Sequence, residues 1–223
     1  MKKKYIIAID GPAGAGKSSI AKMVAKKLGF VYIDTGAMYR AVTWKVLNSG
    51  IGFNNKNKIS EMTKKTSIEL KYTPEKLKVY VDGTDVTESI RSQEVTLKTN
   101  IISSIQEVRN VLREKQRQLG KTGGVVMEGR DIGTYVFPAA EFKFYLDAKP
   151  RERALRRWNE LKAKGRNVDL KEITLAIYRR DYCDRHRGIS PLKKAPGAIV
   201  IDSTNMTQKE VAEKILKTVG MQA

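Results

Sequence analysis

The eight residues "GPAGAGKS", Gly11–Ser18, constrain this chain more than any other stretch, because they fit G-x-x-x-x-G-K-[ST] at every position. That pattern demands a context. A strand must deliver the loop and a helix must receive it, so that backbone N–H groups wrap a phosphate and the helix N-terminus adds a favourable partial charge. Both neighbours are present: "YIIAID" runs up to Asp10, and Ile20, Val24 and Leu28 repeat at helical spacing until Gly29. Gly11, Pro12, Ala13, Gly14, Ala15, Gly16, Lys17, Ser18 and Ser19 are therefore expected to hold the phosphates of a nucleoside triphosphate. Lys17 should reach the terminal phosphates, and the Ser18 hydroxyl can ligate magnesium.

A loop of this kind needs a sheet behind it. The apolar runs "YIIAID", "FVYID", "VVME", "FKFYLD" and "AIVID" close on Asp10, Asp34, Glu128, Asp147 and Asp202. Runs apolar at successive positions suit strands buried on both faces, hence a parallel sheet flanked by helices in an α/β fold, with the carboxylates at its binding edge. The last helix is expected from Thr207, whose partner Glu210 completes a capping box ahead of Val211, Ile215 and Val219. The stretch from Asp34 to Val125 exceeds one crossover. Within it Ile68, Leu70 and Tyr72, then Leu77, Val79 and Val81, alternate before the turn signal Asp82–Gly83. That reads as a small antiparallel insertion over residues 64–91, followed by a helix over about 96–118 with Ile101, Ile105, Val108 and Leu112 on one face. At 223 residues, one α/β domain with an insertion is the expected size. The basic N-terminus leads into a strand rather than an export signal, no apolar run is long enough to span a membrane, and the single Cys183 suits a reducing compartment.

Composition matters for the partner. Lys and Arg number 43 against 24 Asp and Glu, a net charge of +19, which points to nucleic acid, anionic lipid or a phosphorylated small molecule. The guanine signature N-K-x-D is missing, and the chain is too short for a set of helicase motifs. What stands out instead is arginine near strand ends. Arg40 follows the second run in "DTGAMYR" together with Thr35, and Arg130 and Asp131 follow the third in "MEGRDIG". Glu128 occupies the place from which an acidic residue holds magnesium or its waters.

The segment "RRDYCDRHRG" sharpens the pattern. Asp169 and Glu172 form a capping signal, Ile173 and Ile177 set an inward face, and the same spacing continues through Arg180, Asp184 and Arg187. Charges on such a face are expected to meet a partner, because burying them alone is costly. The competing reading is an Arg180–Asp184 pair on a solvated face, worth a few tenths of a kcal/mol. Arg109 likewise borders an apolar stripe. A further helix begins at Lys149, with Leu155, Trp158 and Leu161 inward and Arg151, Arg153, Arg156 and Arg157 crowding it. As a lid over residues 149–168 it would exclude water and set guanidinium groups on developing charge.

The P-loop, "DTGAMYR", "IRSQEV", "EGRDIGT", "FPAAEFKFYLDA", "RRDYCDRHR" and "IDST", in this order over nearly the whole chain, resemble the bacterial cytidylate kinases. The resemblance implies the P-loop nucleoside monophosphate kinase fold, with a five-stranded parallel sheet, a monophosphate-binding insertion and an Arg-rich lid. It implies an enzyme that transfers a phosphoryl group from ATP to CMP or dCMP with magnesium; a cytoplasmic location and a monomer are separate expectations. On that basis Thr35, Arg109 and Arg187 would face the base, Asn100, Arg180 and Asp184 would surround the ribose, and Asp131 would link the two. Arg40 and Arg130 would hold the acceptor phosphate, with Lys17, Arg130, Arg153 and Arg157 as the catalytic charges and Arg156 also in the lid. Thr35 and Asn100 stand where serine is expected, and Glu128 where aspartate is common.

An acceptor phosphate is already an ionised nucleophile, so no base is required, and Cys183 and His186 are assigned structural roles. Two other readings make different demands. A polyanion-binding P-loop protein should set stacking aromatics beside its basic runs. A kinase for a hydroxylated acid should carry a base and fewer phosphate-binding arginines.

Overall fold

A computed structural model describes residues 4–72, 77–163 and 165–221. The chain resolves into two compact units, residues 1–33 with 120–223 and residues 34–119. The first is built on the expected sheet. Strands β1 (Ile6–Asp10), β2 (Val31–Asp34), β6 (Val125–Gly129), β7 (Phe142–Asp147) and β8 (Ile199–Asp202) lie in the order β2-β6-β1-β7-β8. The sheet is parallel, with β1 central between β6 and β7, and β7 paired to β8.

Central position explains the composition of β1. Ile7, Ala8 and Ile9 are fully buried, as are Val126, Met127 and Leu146 in the strands beside them. Each large aliphatic side chain hidden this way contributes roughly 1.5–3 kcal/mol. Helix α1 (Lys17–Leu28) buries Ile20 and Val24 and ends at Gly29, whose φ of 68° is the left-handed conformation that closes a helix. Helix α8 (Gln208–Met221) packs against α1 and buries Val211, Ile215 and Val219. Its capping box forms as read: Thr207 N–H donates to Glu210 Oε2 at 2.7 Å, and Glu210 N–H donates to Thr207 Oγ1 at 3.3 Å.

The unit over 34–119 follows different rules. Helices α2 (Thr35–Asn48), α3 (Lys56–Lys65), α4 (Gln93–Ser103) and α5 (Gln106–Gly120) accompany an antiparallel sheet of β3 (Ile68–Tyr72), β4 (Leu77–Val81) and β5 (Thr84–Asp85). The period-two reading gives the observed register, with Ile68 opposite Val81, Leu70 opposite Val79 and Tyr72 opposite Leu77. Asp82 and Gly83 turn the chain at φ of 48° and 83°, as the Asp-Gly signal requires. Residues 73–76 of the expected 64–91 insertion, and residue 164 of the 149–168 segment, lie outside the described residues.

The single helix expected over 96–118 is instead two. Ser103 and Ser104 turn their hydroxyls back onto the carbonyls of Asn100 and Ile101, at 3.1 and 2.7 Å, and the ladder stops there. The break also changes the inward face. Ile102, not Ile101, joins Ile105, Val108 and Leu112 in a core with Met38, Val42, Val46 and Ile59, while Ile101 is exposed. Among the described residues no helix is long and apolar enough to cross a membrane.

Candidate nucleotide site

Three features shape the P-loop. Gly11 takes φ 153° directly over the end of β7, where any Cβ would collide with the carbonyl oxygen of Leu146. Gly14, at φ 75°, lies against helix α6 (Pro150–Ala163), and a Cβ there would meet Arg153 O at 2.9 Å. Glycine at both places follows from close backbone approach. Lys17 opens α1, is 5% exposed, and donates from Nζ to Pro12 O at 2.7 Å. Burial, and then the nearby Arg130 guanidinium, push the Lys17 ammonium down to about 7, against the opposing pull of Glu128 and Asp184.

Ser18 and Glu128 meet directly. Ser18 Oγ donates to Glu128 Oε1 at 2.5 Å, and Tyr32 OH donates to the same oxygen at 3.2 Å. These are hard oxygen donors at the foot of a phosphate loop, which suits magnesium, an ion that keeps several waters and takes the rest of its shell from substrate phosphates. Among the described residues no cluster of three His, Cys, Asp or Glu side chains offers a self-sufficient metal cage. The Ser18 and Glu128 oxygens suit an ion of this kind.

Helix α7 (Leu170–His186) carries the second part of the site. Asp169 caps it by accepting from Lys171 N–H at 3.1 Å; of the face read from the sequence Ile177 and Asp184 are buried and Ile173, Arg180 and Arg187 half-buried, while Asp181, outside that face, is buried as well. Asp184 is 4% exposed and gathers three arginines. Arg130 Nε donates to its Oδ2 at 2.8 Å, Arg187 donates to Oδ1 at 3.3 Å, and Arg180 Nε lies 3.9 Å from Oδ2. Burial alone would push the Asp184 carboxyl up; Arg130, Arg180 and Arg187 outweigh it and hold the group below the usual carboxylate range. Cys183 and His186 fall on the outer side, both exposed, and His186 stacks on Tyr182 at 4.1 Å.

Asp131 is buried between β6 and a single π turn over Ile132–Val136. The turn is anchored by a residue that the sequence marked only as a strand end. Asp10 accepts from Ile132 N–H at 2.8 Å and Gly133 N–H at 2.7 Å, and burial pushes its carboxyl up to about 7 despite these bonds.

Within the 34–119 unit, Asp34 caps α2 by accepting from Ala37 N–H at 2.9 Å and pairs with Arg40 at 2.9 Å. Burial opposes the Asp34 charge, but Arg40 and the Ala37 N–H hold its carboxyl below the usual range. Thr35 is buried at the start of α2, and Asn100 is half-buried on α4. Arg109 is 1% exposed on α5, donates to Ser103 O at 3.0 Å, and sets its guanidinium 5.2 Å from the ring centre of Tyr39, a residue that sequence reasoning passed over.

The arginines of α6 divide into three environments. Arg153 is buried beneath the P-loop, Arg156 donates to Ser203 Oγ at 3.0 Å and Ser203 O at 2.5 Å, and Arg157 pairs with Glu160 on the surface at 2.7 Å. Leu161 is inward as expected. Leu155 and Trp158 are only half-buried, with Trp158 Nε1 donating to Val168 O at 3.0 Å, because Arg153 and Ala154 take the core-facing positions. A pocket of about 370 Å³ opens beside Gly16 and Ile20, lined also by Glu152, Arg156, residues 203–208 and Val211. The 203–208 segment was not read as a site, although it leaves β8 at the binding edge of the sheet, the signal that could have found it.

Comparison with known proteins adds to this geometry. A family model described as cytidylate kinase matches residues 7–221. A cytidylate kinase of Bacillus subtilis strain 168 is 49% identical over 219 residues, covering 98% of both chains. Another, from Caldicellulosiruptor saccharolyticus, is 52% identical over 215 residues, 96% of this chain and 95% of its own. A solved structure of a shikimate kinase from Bacteroides thetaiotaomicron aligns with a TM-score of 0.50 at 11% identity, over 98% of this chain and 99% of that one. At such identity the likeness speaks for the fold alone.

Proposed function

The chain belongs to the cytidylate kinase family, and from that premise we propose that it transfers the γ-phosphoryl group of ATP to CMP or dCMP, giving ADP and CDP or dCDP. The observation that carries the reading is the gathering of Arg130, Arg180 and Arg187 on the buried Asp184, with Arg130, Asp184 and Arg180 also acting on the charge of the buried Lys17 in the phosphate loop. Such an array suits two polyanions brought together, one held by the loop and one by guanidinium groups.

The donor is assigned to Gly11–Ser19. Backbone N–H groups of the loop and Lys17 bind its phosphates, and the pocket beside Gly16 receives its base. For the acceptor we assign Arg40 and Arg130 to the phosphate, Asn100, Arg180 and Asp184 to the ribose, and Thr35, Arg109 and Arg187 to the cytosine, with Asp131 between sugar and base. Residues 64–91 belong to the monophosphate-binding insertion and 149–168 to the lid. An oxygen of the acceptor phosphate forms the new bond to the γ-phosphorus as the bond from that phosphorus to the β–γ bridging oxygen breaks, and the electron pair leaves with ADP. Lys17, Arg130 and Arg157 take up charge on the equatorial and bridging oxygens. Ser18, with Glu128 acting on the ion's waters, would hold magnesium, which would supply further neutralisation of the β- and γ-phosphates. The protein acts as a cytoplasmic monomer on free nucleotides, without a nucleic-acid partner.

The test is a coupled ADP-release assay with ATP and each of CMP, dCMP, UMP, AMP and a hydroxylated acid. CMP and dCMP are expected to turn over fastest. Turnover with AMP or the acid that equals theirs would overturn the acceptor assignment.

A further inference from the structure

Arg153 and Asp181 form an ion pair that the transfer chemistry above does not use, and its surroundings are specific. Arg153 is 2% exposed, although α6 is otherwise strongly polar. A buried guanidinium is retained only where its N–H groups are matched. Arg153 Nε donates to Ala148 O at 2.9 Å, and NH1 donates both to Asp181 Oδ2 at 2.6 Å and to Ala13 O at 2.8 Å. Asp181 completes the circuit from α7 by accepting the Ala13 N–H on Oδ1 at 3.2 Å. Both backbone polar groups of Ala13 are thus held by one ion pair.

Ala13 sits at the sensitive point of the loop. Pro12 before it accepts the Lys17 ammonium, and Gly14 after it packs on the Arg153 backbone. The direction in which the loop's N–H groups point depends on the peptide planes at these three residues. Asp181 also lies one turn before Asp184, so a single stretch of α7 grips the phosphate loop at one residue and the arginines Arg130 and Arg187 at the other.

We propose that Arg153 and Asp181 are positioning residues, which hold the phosphate loop in its anion-receiving shape and register it against α7, and that Arg153 acts through Ala13 instead of touching the transferred phosphoryl group. The proposal rests on the reading that ATP is the donor. Two variants test it. Asp181→Asn keeps a carbonyl oxygen for the Ala13 N–H but removes the charge that fixes Arg153. The double variant Arg153→Met with Asp181→Leu removes both charges at similar volume, so that no charge is left buried alone.

Steady-state assays with each substrate varied in turn, beside thermal melting, give the readout. The expected result in both variants is a KM for ATP raised about tenfold, a KM for CMP within about twofold of the unmodified protein, and, in the double variant, a melting temperature close to the original. Equal rises in both KM values that track a lowered melting temperature would show that the pair only supports the fold. An ATP KM within about twofold of the original in Asp181→Asn would overturn the proposal even if the double variant fails to fold. If the unmodified protein itself releases no ADP with ATP and CMP, the donor reading fails instead, so the two failures are distinguishable.

Discussion

Asp181 and Asp184 lie three residues apart on α7, both buried, yet they serve opposite kinds of neighbour. Asp181 meets one fully buried arginine and the backbone of the phosphate loop, and both of its carboxylate oxygens are engaged there. Asp184 meets Arg130 just past β6 and Arg180 on α7, whose side chains are 18% and 29% exposed, and Arg187 at the end of the helix, 8% exposed. One network is closed. The other keeps two of its arginines partly exposed to solvent. Burial of a charged pair is therefore not by itself a sign of a binding site; the exposure of the side chains around it separates the two.

The largest expected effect bears on the loop that the closed network supports. Lys17→Ala should lower turnover with any acceptor by about a thousandfold or more, read by ADP release, since it removes the cation on the transferring phosphate. Next is Asp184→Ala, which leaves three half-buried arginines without their shared counter-charge. It should cost about 3–5 kcal/mol in denaturant unfolding and raise the KM for CMP more than that for ATP. Arg187→Ala should raise the KM for CMP about ten- to a hundredfold, as expected for one charge-assisted hydrogen bond, with a smaller change in kcat. If Arg187→Ala weakens CMP and UMP equally, that side chain does not read the base.

A smaller effect follows from the Lys17 ammonium, held near 7 by burial and by Arg130. Because the folded value lies below that of a free lysine, the unfolded chain binds the extra proton between about pH 7 and pH 10, and that proton cost to stability fades as pH rises through this window. Bound triphosphate favours the charged form, so the affinity for ATP should fall by up to tenfold per pH unit above about 7. Titration of ATP into the protein at several pH values should show the slope, and Lys17→Arg should flatten it.

Local signals carried much of this into the sequence. The loop from Gly11 to Ser18 is readable because its geometry depends on adjacent residues, and the Arg180, Asp184 and Arg187 face is readable because a helix repeats every 3.6 residues. The five sheet strands follow from runs buried on both faces. The fate of Arg153 was not legible. Among the four arginines between 151 and 157, nothing in the order of residues marks the one whose helix would pack against Gly14. Asp10 and Tyr39 escaped for the same reason, since their partners lie far along the chain or on another face. The break after Ser103 was local but went unread, because Ile101, Ile105, Val108 and Leu112 alone fit one continuous helix.

The most direct test of two networks on one helix is a crossed comparison of Asp181→Asn with Asp184→Asn, measuring KM for ATP and for CMP in each. The account predicts that the first variant weakens ATP and spares CMP, while the second weakens CMP and spares ATP. The same ratio of ATP to CMP losses in both variants would contradict it.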